Sequence, residues 1–207
     1  MDPITIIFSI AILIMSVVAH EVAHGYAAEY LGDPTARLRG RLTLNPIVHL
    51  DMFGSIILPI LLTLLNGPVF GWAKPVPYNP YNLRNRRWGE AIVAGAGPLT
   101  NIVIAVIFAL LARLAITGVI PLGSDFVGIS QLVVFINIFL AVFNMMPVPP
   151  FDGSKVLFAF LPQHLQKYRL VLEQQSILVL IFVIFFVVQF LGPVVFKISD
   201  FLIRGLL

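Results

Sequence analysis

Four runs of apolar residues constrain this chain more than any other feature. They are Ile4 to Val18, Ala91 to about Ile116, Phe126 to Met146 and Ile177 to about Ile203. A run of about 20 apolar residues is long enough to cross a bilayer. Inside lipid the backbone must satisfy its own hydrogen bonds, so such a run has to be helical. The composition agrees: 59% of the 207 residues are hydrophobic and only 11% are charged. That excludes an ordinary soluble domain. The expected fold is an all-α polytopic membrane protein, forming one domain over residues 1–207. Cys is absent, so neither a disulfide framework nor a thiolate metal site is possible. The net charge of +3 gives no reason to expect a nucleic-acid partner. The first run has no basic n-region and no small-residue cleavage site, so we read it as a retained span.

The first run leads into His20-Glu21-Val22-Ala23-His24-Gly25, an H-E-x-x-H sequence. Residues four apart share one helix face, so His20 and His24 can aim at one metal ion. Glu21 lies one step round the helix, within reach of a water held there. Ionisable groups at the edge of a span are costly and usually have a purpose. Chance and a polar cluster that glues helices are the bland alternatives.

Between the spans the chain is punctuated. Gly32-Asp33-Pro34 should stop the first helix, near Tyr30. Apolar and polar residues alternate from Thr35 to Leu44, the period of a short β-hairpin at the membrane surface, with Asn45-Pro46 ending it. Phe53 to Leu65 is only about 13 residues long and contains Pro59, which suggests a re-entrant half-helix. Asn66 to Pro80 reads as an extended loop. Pro75 and Pro77 leave one edge of it without N–H groups. It is either a rigid surface loop with Trp72 as an interface anchor, or a strand that takes substrate by β-addition. The second span, Ala91 to about Ile116, contains Gly95 to Asn101, with small residues that permit close helix contact. The third span, Phe126 to Met146, ends in Asn144-Met145-Met146-Pro147-Val148-Pro149-Pro150-Phe151-Asp152-Gly153, an extended break. Gly192-Pro193 should kink the last span.

Basic residues supply an orientation. Arg37, Arg39, Arg41, Lys74, Arg84, Arg86, Arg87, Lys155, Lys167 and Arg169 lie in segments that would share one side, and Thr117 to Asp125 has none. By the positive-inside rule the basic side is cytoplasmic. About four transmembrane helices plus one short re-entrant helix satisfy this pattern. Small hairpin or extended loops would then lie at the cytoplasmic side, and both termini outside. His20, His24, Asn101 and Asp152 would then all lie toward the inner face. Arg113, Lys197 and Arg204 count against it but are outnumbered.

Two histidines do not complete a hydrolytic zinc site, which needs three protein ligands and an open position. Asp152 is the best third ligand by placement; its alternative is to cap the helix that follows. Asp51 and His49 compete, although loop hydrogen bonds suit both, and His164 reads as a surface residue. Asn101 and Asn144 are either donors to a developing oxyanion or helix-packing amides.

Taken together, His20 to Gly25, Gly97 to Asn101 and Asn144 to Gly153 resemble the site-2 protease family of intramembrane zinc metalloproteases, in order and in spacing. Gly71 to Pro77 resembles a loop of its small prokaryotic members. The resemblance covers roughly residues 10–160. It departs at Phe151, where leucine is usual; we also expect neither a span before the H-E-x-x-H helix nor a regulatory extension. It implies one Zn²⁺ per chain, held by His20, His24 and Asp152, with Glu21 as general base. It also implies cleavage of membrane-protein substrates in or near their transmembrane segments, within the lipid bilayer of a prokaryotic cytoplasmic membrane. A membrane metal carrier using the same His and Asp ligands is the competing function. Glu21 separates the two, since a carrier has no use for a carboxylate beside the ion that is not a ligand.

Overall fold

The computed structural model describes residues 3–57, 61, 64, 73–85, 88–162, 167–183 and 188–205. Its helices are α1 (Pro3–Tyr30), α2 (Thr35–Leu38), α3 (Trp88–Ile116), α4 (Ser124–Asn144), α5 (Asp152–Phe160), α6 (Lys167–Gln174), α7 (Ser176–Phe182) and α8 (Val188–Arg204). Three of them, α1, α3 and α4, are long and apolar enough to cross a membrane. The protein is therefore helical and multi-pass. The expected last span, Ile177 to Ile203, is α7 and α8 among the described residues, with 184–187 lying outside them.

α3 is the central element. Its Ala105, Ala109 and Ala112 are almost wholly buried against Val134 and Ile138 of α4 and Val195 and Ile203 of α8. Alanines four and three apart form one smooth helix face. In lipid, where burial of apolar surface gives no drive, such small faces let helices approach closely.

α1 and α3 run antiparallel, and side-chain contacts fix their register. His20 of α1 meets Asn101 of α3, and one turn on His24 meets Val93. Residues 31–87 therefore begin and end at the same end of the bundle. α4 returns to that end, where α5 starts.

No strand occurs among the described residues, which corrects the expected β-hairpin at 35–44. Local hydrogen bonding overrides the alternating pattern there. Just beyond the end of α1, Gly32 takes a φ of +107° that suits glycine, and Asp33 N–H closes onto Ala28 O. The Asp33 carboxylate then accepts from the Thr35 hydroxyl and N–H, which starts the short helix α2. Arg37 turns back to pair with Glu29. Asn45-Pro46 opens a 3₁₀ turn, Pro46–His49, in which the Asn45 side chain accepts from Ile47 N–H.

Of the proposed half-helix, Met52–Ile57 forms a wide helical turn. Pro59 and most of 58–65 lie outside the described residues, as do Trp72, Arg86, Arg87 and His164. Of the expected extended loop, residues 73–79 carry no regular secondary structure and 66–72 lie outside the described residues.

Candidate metal centre

Glycines let the bundle close around the two histidines. A Cβ on Gly97 would sit 2.5 Å from His20 Nε2 and 2.6 Å from His24 Cε1, so α3 can press against the pair only because Gly97 has none. The rings themselves stand edge to face, with centroids 4.6 Å apart. Gly153 does the same for the third residue: its Cβ would fall 2.2 Å from Met145 O, so α5 can fold back onto the end of α4 only with glycine there.

This delivers Asp152 to the histidines. Asp152 Oδ2 lies 3.1 Å from His20 Nε2 and 3.2 Å from His24 Nε2, with all three residues buried. Asp152 is the first residue of α5, and the capping position is held by Phe151, so the capping alternative for Asp152 is not adopted. Bonds of about 2.05 Å at a tetrahedral angle put neighbouring ligand atoms roughly 3.3 Å apart. The observed 3.1 and 3.2 Å fit that spacing. His20, His24 and Asp152 are the cluster able to hold a metal ion among the described residues.

The far side of each ring supports the same reading. His20 Nδ1 lies 2.6 Å from Asn101 Oδ1, and His24 Nδ1 lies 2.7 Å from Val93 O. Both oxygens are acceptors, so each Nδ1 donates its hydrogen there, and a neutral ring so held offers its Nε2 lone pair to a metal ion on the Asp152 side. Metal-binding histidines are commonly held this way. On the other side of Asp152, Lys155 Nζ stands 3.8 Å from Oδ1, one helical turn on.

Asn101 is fully buried and has no hydrogen left to give. Its carbonyl oxygen takes His20, and its amide donates to Asn137 Oδ1 and Ser16 O. Asn144 is half-buried and donates to Leu140 O on its own helix. His49 Nε2–H donates to Thr43 O, and Asp51 accepts from Gly54 N–H, so both have the loop roles expected of them.

Glu21 is held from outside the helix. Val76 N–H donates to Glu21 Oε2 at 2.8 Å. Val76 is the one residue of Pro75-Val76-Pro77 with an N–H to give. Val76 reaches Glu21 because Gly25 leaves room: a Cβ there would meet Val76 Cγ1 at 2.9 Å and Leu42 Cδ2 at 2.5 Å. The segment around Val76 is stitched down along its length. Lys74 N–H donates to His49 O, and Asn79 N–H donates to Asp33. The Arg41 guanidinium binds Lys74 O, Pro75 O and Val48 O. The Lys74 and Val76 N–H groups are thus spent within the protein. A substrate strand cannot pair through the N–H groups of Lys74 or Val76 as they stand.

Burial opposes charge on Asp33, but hydrogen bonds from Thr35, Asn79 and Asn82 more than offset it and hold the carboxyl below its ordinary value. Asp33 thus joins the end of α1 to the loop that reaches Glu21.

Comparison with known proteins adds the family. The model of peptidase family M50 matches residues 122–189. The chain is 40% identical over 154 residues to "Putative zinc metalloprotease YwhC" of Bacillus subtilis, covering 72% of this chain and 67% of that protein. The chain belongs to peptidase family M50. A Methanocaldococcus jannaschii relative of this M50 chain, also named a zinc metalloprotease, is 32% identical across 72% of each protein. Rip2 of Mycolicibacterium smegmatis is 30% identical over 84% of this chain and 65% of its own length. The M50 chain thus spans about two thirds of the length of the curated relatives it matches. No solved structure matches it.

The sequence alone singles out His20, His24, Asp152 and Glu21, and the structure brings His20, His24 and Asp152 together. Sequence reasoning missed Ser16, Val76, Val93, Asn137 and Lys155. Lys155 could have been found, since it stands three residues after Asp152 at the start of a helix. Val76 and Val93 act through backbone atoms and leave no mark in side-chain identity.

Proposed function

We propose that this M50 chain is an intramembrane zinc endopeptidase, with Zn²⁺ held by His20, His24 and Asp152. The convergence of two Nε2 atoms and one carboxylate oxygen, with both Nδ1 atoms tied behind, carries this reading. The donor set is the one zinc takes in hydrolytic sites. Bound there, zinc supplies a Lewis acid for the scissile carbonyl and brings the pKa of its water to about 7.

The chain's own residues do the rest. Glu21 takes the proton of the attacking water and passes it to the leaving amine. Val76 N–H, holding Oε2, keeps that carboxylate aimed as the proton moves. Asn101 positions His20, because its amide hydrogens are already committed. Asn144 is the amide that donates to charge developing on the scissile carbonyl oxygen. Lys155 partners the Asp152 oxygen that faces away from the histidines.

The substrate is a membrane protein, cut in or near a transmembrane segment after it unwinds locally, since a helix hides its amide bonds. His20 lies ten residues before the end of α1, which at 1.5 Å per residue is roughly 15 Å along the helix. Chemistry there happens below the lipid surface. Residues 1–207 act as one domain with four spans. The common end of residues 31–87 supports that topology, and the basic loops make that end cytoplasmic in a prokaryotic cell membrane.

The test is Glu21→Gln. The purified variant should retain zinc and lose cleavage of a transmembrane peptide in detergent. Retained cleavage would refute the role of Glu21, and wild-type protein that binds no zinc would refute the metal site.

A further inference from the structure

A second polar layer lies one turn deeper than the metal ligands. Ser16, Asn101 and Asn137 come from α1, α3 and α4, and all three are buried. Resting on the zinc reading above, we propose that Asn137 is a positioning residue: it sets which nitrogen of His20 carries the hydrogen, acting through Asn101 without touching any metal ligand.

Hydrogen-bond polarity carries the argument. Asn137 Nδ2 lies 2.9 Å from Val133 O, one turn back on α4. A backbone carbonyl can only accept, so the amide nitrogen of Asn137 must be on that side. The same nitrogen lies 2.9 Å from Ser16 Oγ, a hydroxyl that accepts it. Asn137 Oδ1 therefore faces the other way, 2.8 Å from Asn101. That oxygen accepts, so Asn101 must turn its NH₂ toward Asn137. The same NH₂ also lies 3.3 Å from Ser16 O. Asn101 Oδ1 is then the atom 2.6 Å from His20 Nδ1, and it requires a hydrogen there. A neutral ring so held keeps its Nε2 lone pair for a metal ion.

Flipping either amide breaks this sequence. With Asn137 reversed, its oxygen would oppose Val133 O and its nitrogen would oppose the Asn101 NH₂. With Asn101 reversed, an NH₂ would face His20 Nδ1 and favour hydrogen on Nε2, the atom a metal needs. Water is scarce at this depth, so an amide left unsatisfied is costly. The main-chain carbonyl of Val133 thus fixes the sense of the relay, and a histidine on α1 reads it out.

A plain helix-packing role for Asn137 would predict lost stability alone. The relay predicts an effect on metal and tautomer. In apo protein in micelles with ¹⁵N-labelled histidine, assigned by comparison with His20→Ala, wild-type His20 should show the hydrogen on Nδ1. Neutral His20 with its hydrogen on Nε2 and none on Nδ1 would overturn the proposal with no Asn137 variant needed. Zinc affinity, measured by chelator competition, should fall about tenfold in Asn137→Leu and about 10–100-fold in Asn101→Leu. The double variant should bind no more weakly than Asn101→Leu, because both act along one path. Zinc affinity in Asn137→Leu within twofold of wild type, or losses that multiply in the double variant, would overturn it. Wild-type protein that bound no zinc would refute the metal site, while the apo spectrum would still decide the tautomer.

Discussion

Replacing Gly97 by alanine tests how closely the bundle is fitted to its metal centre. A Cβ at 97 would lie 2.5 Å from His20 Nε2 and 2.6 Å from His24 Cε1, where ordinary contact begins at 3.4 Å. Something must yield by about 0.9 Å, several times the ~0.2 Å that a metal site tolerates. The rings cannot slide away freely, because Asn101 and Val93 hold them to the same helix that carries the new methyl. Moving α3 instead would open its alanine face against α4 and α8. We therefore expect zinc affinity to fall at least about 100-fold, or about 2.7 kcal/mol. Cleavage should fall with it. Gly95→Ala is the matched control. It lies on the same helix, its Cβ would meet nothing within 4 Å, and alanine favours helix at both positions. It should bind zinc and cleave as wild type does. The assay is chelator competition followed by cleavage of a transmembrane reporter in detergent, with helical content confirmed by circular dichroism. Zinc affinity in Gly97→Ala within threefold of wild type would refute the argument.

Val76→Pro removes the N–H that holds Glu21, so kcat should fall about tenfold or more while zinc content, measured by mass spectrometry of the metal, stays unchanged. Asp152→Ala should abolish stoichiometric zinc, whereas His49→Gln should keep it, as measured on the purified proteins. Asp33→Asn should lower thermal stability by about 1–3 kcal/mol near neutral pH. A carboxyl held below its ordinary value stabilises above that value and loses the contribution as pH falls through the lowered one. The gap between wild type and Asp33→Asn should therefore be constant from about pH 5 upward and close in more acidic buffer, followed by melting in detergent.

The extent to which the chain is legible varies by residue. His20, Glu21 and His24 belong to one helix, so their relation follows from 3.6 residues per turn. Gly153 and Gly97 stand out as small residues in motifs, although what each must avoid is visible only once the bundle closes. The 35–44 stretch misleads because its alternation is real while the dominant interaction is local: Asp33 captures Thr35 and turns the chain into α2. The prolines at 75 and 77 suggested an open strand edge. The structure uses the Val76 and Lys74 N–H groups inside, on Glu21 and His49 O.

By itself the sequence determines that this protein lives in a membrane and is helical, because unsolvated backbone has no other way to satisfy its polar groups. It also determines which residues can bind zinc, since ligand type is a property of the side chain. The tertiary structure alone decides that Asp152, 128 residues after His24, completes the pair. It alone decides that Val76 N–H, Val93 O and Val133 O orient the site. Every residue but proline carries the same N–H, and every residue the same C=O, so nothing in their order along the chain says which one will be brought to a carboxylate or an imidazole.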